Sequence, residues 1–427
     1  MVQVACLYSG EKKKNIRNIS YNYGMSTKNK KIKGATQPGP YKKFLTDLHE
    51  VLGIMLGSNN KLNELPNDYL HMLYDFKYVF QNPRAYNDHV TPAELKRINE
   101  KSRKFFVERN LECKDSFLST YQLHLFWCYL IINARMAKRK QGEDDPDYIE
   151  FSEAASNCSE LFYSRFLLDY FKVITQLSSP DHKYFGIHIG PAAIFKDNPK
   201  IEIVVEVYGF KPQTAVLQIG GIKRPVFRMA IAKAVTTLEW INIDSSVLGT
   251  SYQGNKKQLE VYIQSHALKR FRERLDILNS DAINYLLWEN THTIDNIQLY
   301  RKLILHPVKL FGVKIGYLVG NIVDDKFLFS TFLFITHSFT PEGDRLKKIT
   351  GLGKEDISYW KIDRLSTFIN LREDKYPQLI ELFGQAGLGD IKELKNKEFD
   401  IDSLQEANLD ALMNYMIKNK LAKQSFV

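Results

Sequence analysis

The sequence predicts an α+β protein with a helical N-terminal region, an antiparallel sheet region, a helix–helix–antiparallel-sheet domain and a helical C-terminus. Three observations predict it. Apolar residues recur at helical spacing across residues 44–177. Around Ser178-Ser179-Pro180-Asp181 the period changes from 3.6 to 2, with Gly and Pro punctuation. Helical spacing then returns at residues 265–289 and again beyond residue 375. A chain of 427 residues, 44% hydrophobic and 25% charged, is long enough for two or three domains with their own cores.

Residues 1–43 read as a basic flexible arm. They hold ten Lys or Arg and one acid, Glu11, so +9 of the net +10 sits there and the other 384 residues carry +1. Lys12, Lys13, Lys14, Lys30 and Lys31 can neutralise phosphates, and Tyr21, Tyr23 and Tyr41 can stack on bases. The same composition also describes a solvated tail with no specific partner.

Residues 44–178 form the expected helical domain. Helices are expected at 44–56 and 65–80. Thr91-Pro92-Ala93-Glu94 supplies a cap, a first-turn proline and an early acid for another. A long aromatic-rich helix is expected at 115–136, an exposed acidic turn at 142–146 and a further helix at 151–177.

Residues 179–255 form a small β-rich region, either a sheet domain or an extension of the sheet that follows. Its strands are expected at 187–189, 201–208, 215–219, 225–229 and 240–243. Gly220-Gly221-Ile222-Lys223-Arg224-Pro225 reads as a hairpin turn with a basic tip, structural in character.

Residues 256–372 form the α+β domain expected to carry the catalytic or binding site. Its order is a strand at 261–263, helices at 265–278 and 281–289, and strands at 303–307, 314–323 and 326–337. Asp324-Asp325 is the tight turn of a hairpin, and the last strand is apolar on both faces, as a central strand should be. Residues 373–427 read as a helical C-terminal segment, broken at 384–389.

Several function classes lack their signals. No run of about 18 apolar residues suits a membrane span, and residues 2–8 are too short for a secretory leader. Cys6, Cys113, Cys128 and Cys158 form no CxxC pair, so free thiols are expected rather than zinc or disulfides. There is no GxxxxGK[ST], no GxGxxG after a strand and no HExxH. The expectation is a cytoplasmic protein without membrane, cofactor or metal.

The chemistry-bearing stretch is the helix at 265–278. Ser265 is expected to cap it, and Leu268, Phe271, Leu275 and Leu278 form its apolar stripe. His266, Arg270 and Arg274 fall at i, i+4 and i+8 on another side. A histidine at a helix N-terminus above two arginines can bind phosphate, and a neutral imidazole there can act as a base near pH 7. The plainer reading is an exposed face of Arg–Glu pairs with a capping histidine.

His337 ends the central strand and opens a loop with Thr336, Ser338, Thr340 and Glu342. Metal-free RNA cleavage needs one group to deprotonate the 2′-hydroxyl, one to protonate the 5′-oxygen, and cations to hold the phosphate. His266 and His337 can fill the first two roles, with Thr340 beside them. Arg270 and Arg274, joined by Lys314 or Arg345, can fill the third. Alternatively, Thr340-Pro341-Glu342-Gly343 is a capped turn leading into the next helix.

A helix bearing His-Ala-x-x-Arg-Phe-x-x-Arg, a second helix and then an antiparallel sheet resembles the RelE-type and colicin-type RNases. These belong to the barnase–EndoU–colicin–RelE group, which includes phage-associated members. The resemblance covers roughly residues 261–340 and implies that His266, Arg270, Arg274, His337 and Thr340 line an RNA site. The expected function is therefore a metal-independent ribonuclease or toxin-like protein, with RNA ahead of DNA or another polyanion as partner. The alternative is a non-catalytic, phage-related structural or nucleic-acid-binding protein with a basic arm.

Overall fold

A computed structural model describes residues 39–57, 65–76, 82–113, 115–190, 193–194, 201–232 and 237–397. The first core is built on helices. α1 (Pro40–Leu56) starts on a first-turn proline and ends at Gly57, whose φ of 71° is left-handed. Tyr41 lies in this helix, with its ring against His71 and Tyr74 (centroids 5.3 and 5.1 Å), and is not part of a free arm. α2 (Asn67–Phe76) and the short β1 (Arg84–Ala85) follow.

α3 (Pro92–Val107) has the expected cap. The Thr91 hydroxyl accepts the Glu94 N–H, and the Glu94 carboxylate accepts the Thr91 N–H at 2.8 Å. The next helix begins later than residue 115. β2 (Arg109–Cys113) and β3 (Ser116–Ser119) first make a hairpin, and α4 (Thr120–Gln141) follows. A second capping box sets that start: Ser119 Oγ accepts the Gln122 N–H at 3.1 Å, and Gln122 Oε1 accepts the Ser119 N–H at 3.0 Å.

α5 (Pro146–Leu177) packs against α4, burying Leu123, Phe126 and Leu130 with Phe162, Phe166 and Val173. β4 (Tyr184–Ile189), β5 (Ala193–Ile194), β6 (Ile201–Glu202) and β7 (Val205–Phe210) come next, and β1, β7 and β4 form a three-stranded sheet in that order. Phe185, Ile187, Val205 and Val207 of this sheet belong to the helical core. The change of period near residue 178 therefore does not mark a change of core. The chain passes to its second core after Phe210, through Lys211-Pro212-Gln213.

The second core lies on a sheet. Its strands are β8 (Thr214–Ile219), β9 (Ile222–Arg228), β10 (Ala230–Ala232), β11 (Leu238–Trp240), β12 (Asn242–Asp244) and β13 (Gln258–Gln264). α6 (Ser265–Arg274), α7 (Ser280–Thr291), β14 (Gln298–Tyr300), β15 (Leu303–Leu310), β16 (Val313–Val323) and β17 (Lys326–Phe334) complete the motif.

The strand order is β14-β15-β16-β17-β13-β9-β8, with β12 also on β13 and β10–β11 as a separate pair. β8, β9 and β12 thus extend the later sheet, and a boundary at 255/256 would cut through its hydrogen bonds. Every pairing in this sheet is antiparallel except β13 with β17, where Val261 lies opposite Phe327. Two-residue turns close the hairpins at Gly220-Gly221 and at Asp324-Asp325, whose φ values are 49° and 53°.

β17 sits next to β13 and is apolar on both sides. Its register against β16 slips at Ser330, a bulge that switches side-chain parity. That switch lets Phe327, Phe329, Phe332 and Phe334 all enter the main core, while Leu328 and Leu333 enter smaller clusters. α6 lies on this strand, with Phe271 edge-on to Phe332 at 4.9 Å. Truncating a phenylalanine in such a position costs about 3–5 kcal/mol.

α8 (Pro341–Thr350), α9 (Lys354–Tyr359), α10 (Leu365–Ile369) and α11 (Pro377–Gln385) close the second core. Leu379, Phe383, Leu388, Ile391 and Leu394 join it, so the C-terminal segment up to residue 397 is part of that core. The helices expected beyond it lie outside the described residues. No helix among the described residues is long and apolar enough to cross a membrane.

Candidate anion-binding site

β13 runs directly into α6. Gln264, extended at φ −82° and ψ 149° and paired with Val226, occupies the N-cap position without a side-chain cap bond. Ser265 is therefore the first helical residue and does not cap, contrary to the sequence expectation. The helix also stops at Arg274, short of residue 278. Ala267, Leu268, Phe271 and Leu275 are buried, which leaves His266, Lys269 and Arg270 exposed.

His266 sits in a positive field. Partial burial comes first, then Arg270, Arg224 and Arg274, in holding its pKa below the ordinary 6.5, with Glu273 opposing them. Its imidazole is therefore neutral at pH 7. Arg270 Nη1 donates to Glu273 Oε2 at 2.8 Å, and Lys269 lies 3.7 Å from the same carboxylate.

Arg224 comes from β9, whose pairing of Val226 with Gln264 brings the start of that strand beside the start of α6. It is exposed and in no ion pair among the described residues. In the sequence, the Lys223-Arg224 pair reads only as the basic tip of a turn. The basic tip was the available signal.

Arg274 does not join the open face. It is 8% exposed, its Nη1 donates to the Phe332 carbonyl, and its Nε lies 3.7 Å from Asp363 Oδ2. It braces α6 on β17 and supplies charge from beneath. Burial raises the Asp363 pKa, while Arg274 and Arg364 pull it down.

His337 and Thr340 are not in an open loop. His337 is 7% exposed, and its Nδ1–H is directed to the Ser338 carbonyl. Burial first, and Arg274 next, push its pKa down to about 4. It feels Arg270 as well, so it shares the field of His266, but the protein covers it. The cause is the tight return of the chain after β17. The His337 N–H donates to Phe334 O at 2.9 Å, the Thr340 N–H donates to His337 O at 3.0 Å, and Gly343 presses on that same oxygen.

Thr340 is 0% exposed. Its hydroxyl lies 2.7 Å from Ile335 O and accepts the Gly343 N–H at 3.0 Å, so it caps α8. The capped-turn reading describes this segment, and no substrate reaches that hydroxyl.

Lys314 and Arg345 are also committed. Buried Glu342 accepts from Lys314 Nζ at 2.8 Å and from Tyr317 OH at 3.1 Å, with Arg345 at 3.7 Å. Lys12, Lys13, Lys14, Lys30 and Lys31 lie outside the described residues. Asp325 is a turn residue that accepts from Tyr252 OH at 3.1 Å. Among the described residues no group of His, Cys, Asp and Glu could hold a metal ion.

The charges felt by His266, His337 and Asp363 are Arg224, Arg270, Arg274, Lys354 and Arg364 against Glu273. With Arg274 buried against Asp363, the open cations of this group around the exposed imidazole are Arg270 and Arg224. No family model matches the chain, and no curated protein or solved structure matches it.

Proposed function

We propose that this face binds RNA through its phosphates and cleaves it by internal transesterification, with His266 as the base. One observation carries the reading: an exposed imidazole on the first turn of α6 beside Arg270 and Arg224, its pKa held below 6.5 by partial burial first and then by those arginines and Arg274. The 2′-oxygen attacks the adjacent phosphorus as its proton passes to His266, and the bond from phosphorus to the 5′-oxygen breaks. Arg270 and Arg224 hold the phosphate oxygens as charge develops. With His337 covered, the leaving oxygen takes its proton from the His266 imidazolium or from water. The products are a 2′,3′-cyclic phosphate and a 5′-hydroxyl.

The element order and the His-Ala-x-x-Arg-Phe-x-x-Arg motif support placing residues 261–340 near the barnase–EndoU–colicin–RelE group. Cys113, Cys128 and Cys158 are buried free thiols, which suits the cytoplasmic setting proposed with it.

The test is incubation with end-labelled RNA in EDTA. Cleavage to cyclic-phosphate ends is expected, lost in His266→Ala and reduced about 100-fold in Arg270→Ala. The acid limb of the pH profile should lie below 6.5. Intact RNA with the wild-type protein overturns the cleavage reading.

A second reading, binding without turnover, is favoured by the burial of His337 and Thr340, which removes the expected acid. It corresponds to a phage-related structural or nucleic-acid-binding protein. Salt-dependent binding of RNA that stays intact would establish it.

A further inference from the structure

We infer that the outer face of the β1–β7–β4 sheet is a base-stacking platform for single-stranded RNA, with Tyr86 as its contact ring. This inference rests on the RNA reading of the α6 face. Along β7, Val205 and Val207 point into the helical core, so Glu206, Tyr208 and Phe210 point outward. Their register partners share that face: His188 and Arg84 opposite Glu206, Gly186 opposite Tyr208, and Tyr184 opposite Phe210.

Tyr86 continues β1, its N–H donating to Val207 O at 2.9 Å. Its ring stacks on Tyr208 with centroids 4.1 Å apart and planes at 27°, and Tyr208 lies 13° from the plane of Phe210 at 6.4 Å. Tyr208 is 6% exposed, whereas Tyr86 above it is 60% exposed. One ring of the stack is covered and the outermost is free for a further flat partner.

The platform is held rigidly. Asn87 Nδ2 donates to Gly209 O at 3.0 Å, and Asn87 Oδ1 accepts the Gly209 N–H at 3.1 Å. A Cβ at Gly209 would lie 2.7 Å from His89 O, so the loop after Tyr86 lies against β7 as closely as glycine permits. Scattered exposed aromatics are ordinary. A preordered stack flanked by cations is a different arrangement, because stacking a base on it costs little ordering entropy.

Arg84 lies opposite Glu206 in the register and Lys211 follows Phe210 in the chain; both cations are exposed and in no ion pair among the described residues. They supply the backbone charge that bases on Tyr86 require. At the far end of the face, Tyr184 OH donates to Arg228 O at 3.2 Å and accepts the Ala230 N–H at 3.1 Å. The Arg228 guanidinium lies over the Trp240 ring at 4.9 Å. Arg224 is one short stretch of β9 further, about 13 Å at strand rise. A duplex cannot use the platform, since its bases are already stacked on one another.

The probe is a fluorescent 2′-O-methyl oligouridine of about 12 nucleotides, which binds without being cleaved. Tyr86→Ala should weaken it by about 5-fold to 100-fold with an unchanged salt slope, and Tyr86→Phe should retain binding. Arg270→Ala should instead lower the salt slope. A response to Arg270→Ala but not to Tyr86→Ala overturns the platform and leaves the RNA reading standing. Equal weakening of a hairpin duplex by Tyr86→Ala also overturns it. Failure of the wild-type protein to bind the probe overturns both.

Discussion

Arg272 grips Asp181 with two nitrogens, Nη1 to Oδ2 at 2.9 Å and Nη2 to Oδ1 at 3.0 Å. The pair joins α6, in the second core, to the turn that follows α5 in the first. Arg97 and Lys101 of α3 make a similar link to Asp281 at the first turn of α7, at 2.5 and 2.8 Å. These pairs set the position of the helix bearing His266 and Arg270 against the first core.

Arg272→Ala should lower stability by about 1 kcal/mol at pH 7, read as the urea midpoint. Burial alone would raise the Asp181 pKa, but hydrogen bonds from Arg272 and Ser179 outweigh it and hold the group below 3.8. A depressed carboxylate contributes stability above its unfolded pKa and loses it as pH falls through the folded value. Wild type and variant should therefore converge as the pH is taken below 3.8 and through the lowered folded value. A gap that persists there would show that the arginine acts through packing instead.

His337 gives stability an acid-side slope. Its folded pKa is about 4 and its ordinary value 6.5, so between these the unfolded chain binds more protons. Stability should fall as pH drops from 6.5 to 4, by up to about 3 kcal/mol from this group. His337→Gln should flatten that part of the profile. Parallel profiles for the two proteins would contradict the assignment.

Asp169 acts in the opposite sense. Burial pushes its pKa up to about 6, against a hydrogen bond from Thr120 at 2.6 Å and the nearby Arg165 and Lys172. A raised group contributes fully below its unfolded value of 3.8, and the contribution is lost as pH rises through 6. Asp169→Asn should raise the melting temperature near pH ~7.5, an effect worth about 1–2 kcal/mol, and leave it unchanged near pH ~4. A lower melting temperature near neutral pH would mean that Lys172 needs the carboxylate more than burial penalises it.

Two glycine substitutions should differ sharply. A Cβ at Gly343 would lie 2.0 Å from His337 O and 2.7 Å from Thr336 O, both backbone atoms that cannot swing aside. Gly343→Ala should cost on the order of 3 kcal/mol. Gly384, within α11, has nothing within 4 Å of a Cβ, so Gly384→Ala should be neutral or stabilising by about 0.5–1 kcal/mol. Thermal melts of the pair check the contrast.

Local signals were legible wherever the neighbouring residues decide the conformation. Thr91 and Glu94 announced the start of α3, and the Gly220-Gly221 and Asp324-Asp325 turns announced their hairpins. Ser119 and Gln122 carried an equally local signal, which the aromatic run around it concealed. The site was legible in part. His266 and Arg270 are exposed on α6 because Leu268 and Phe271 occupy its other side, and helical periodicity alone separates those faces.

What lay beyond the sequence was set by contacts between distant segments. Arg224 reaches the site because β9 pairs with β13. Arg274 leaves it because Phe332 and Asp363 surround its guanidinium. His337 and Thr340 are covered because α8 folds back onto the end of β17, with Gly343 admitting the close approach. The sequence by itself determined the helices, turns and apolar faces, because backbone and side-chain preferences act over a few residues. Only the tertiary structure decided which polar groups keep contact with water, because burial is a property of what packs above a residue and not of its neighbours in the chain.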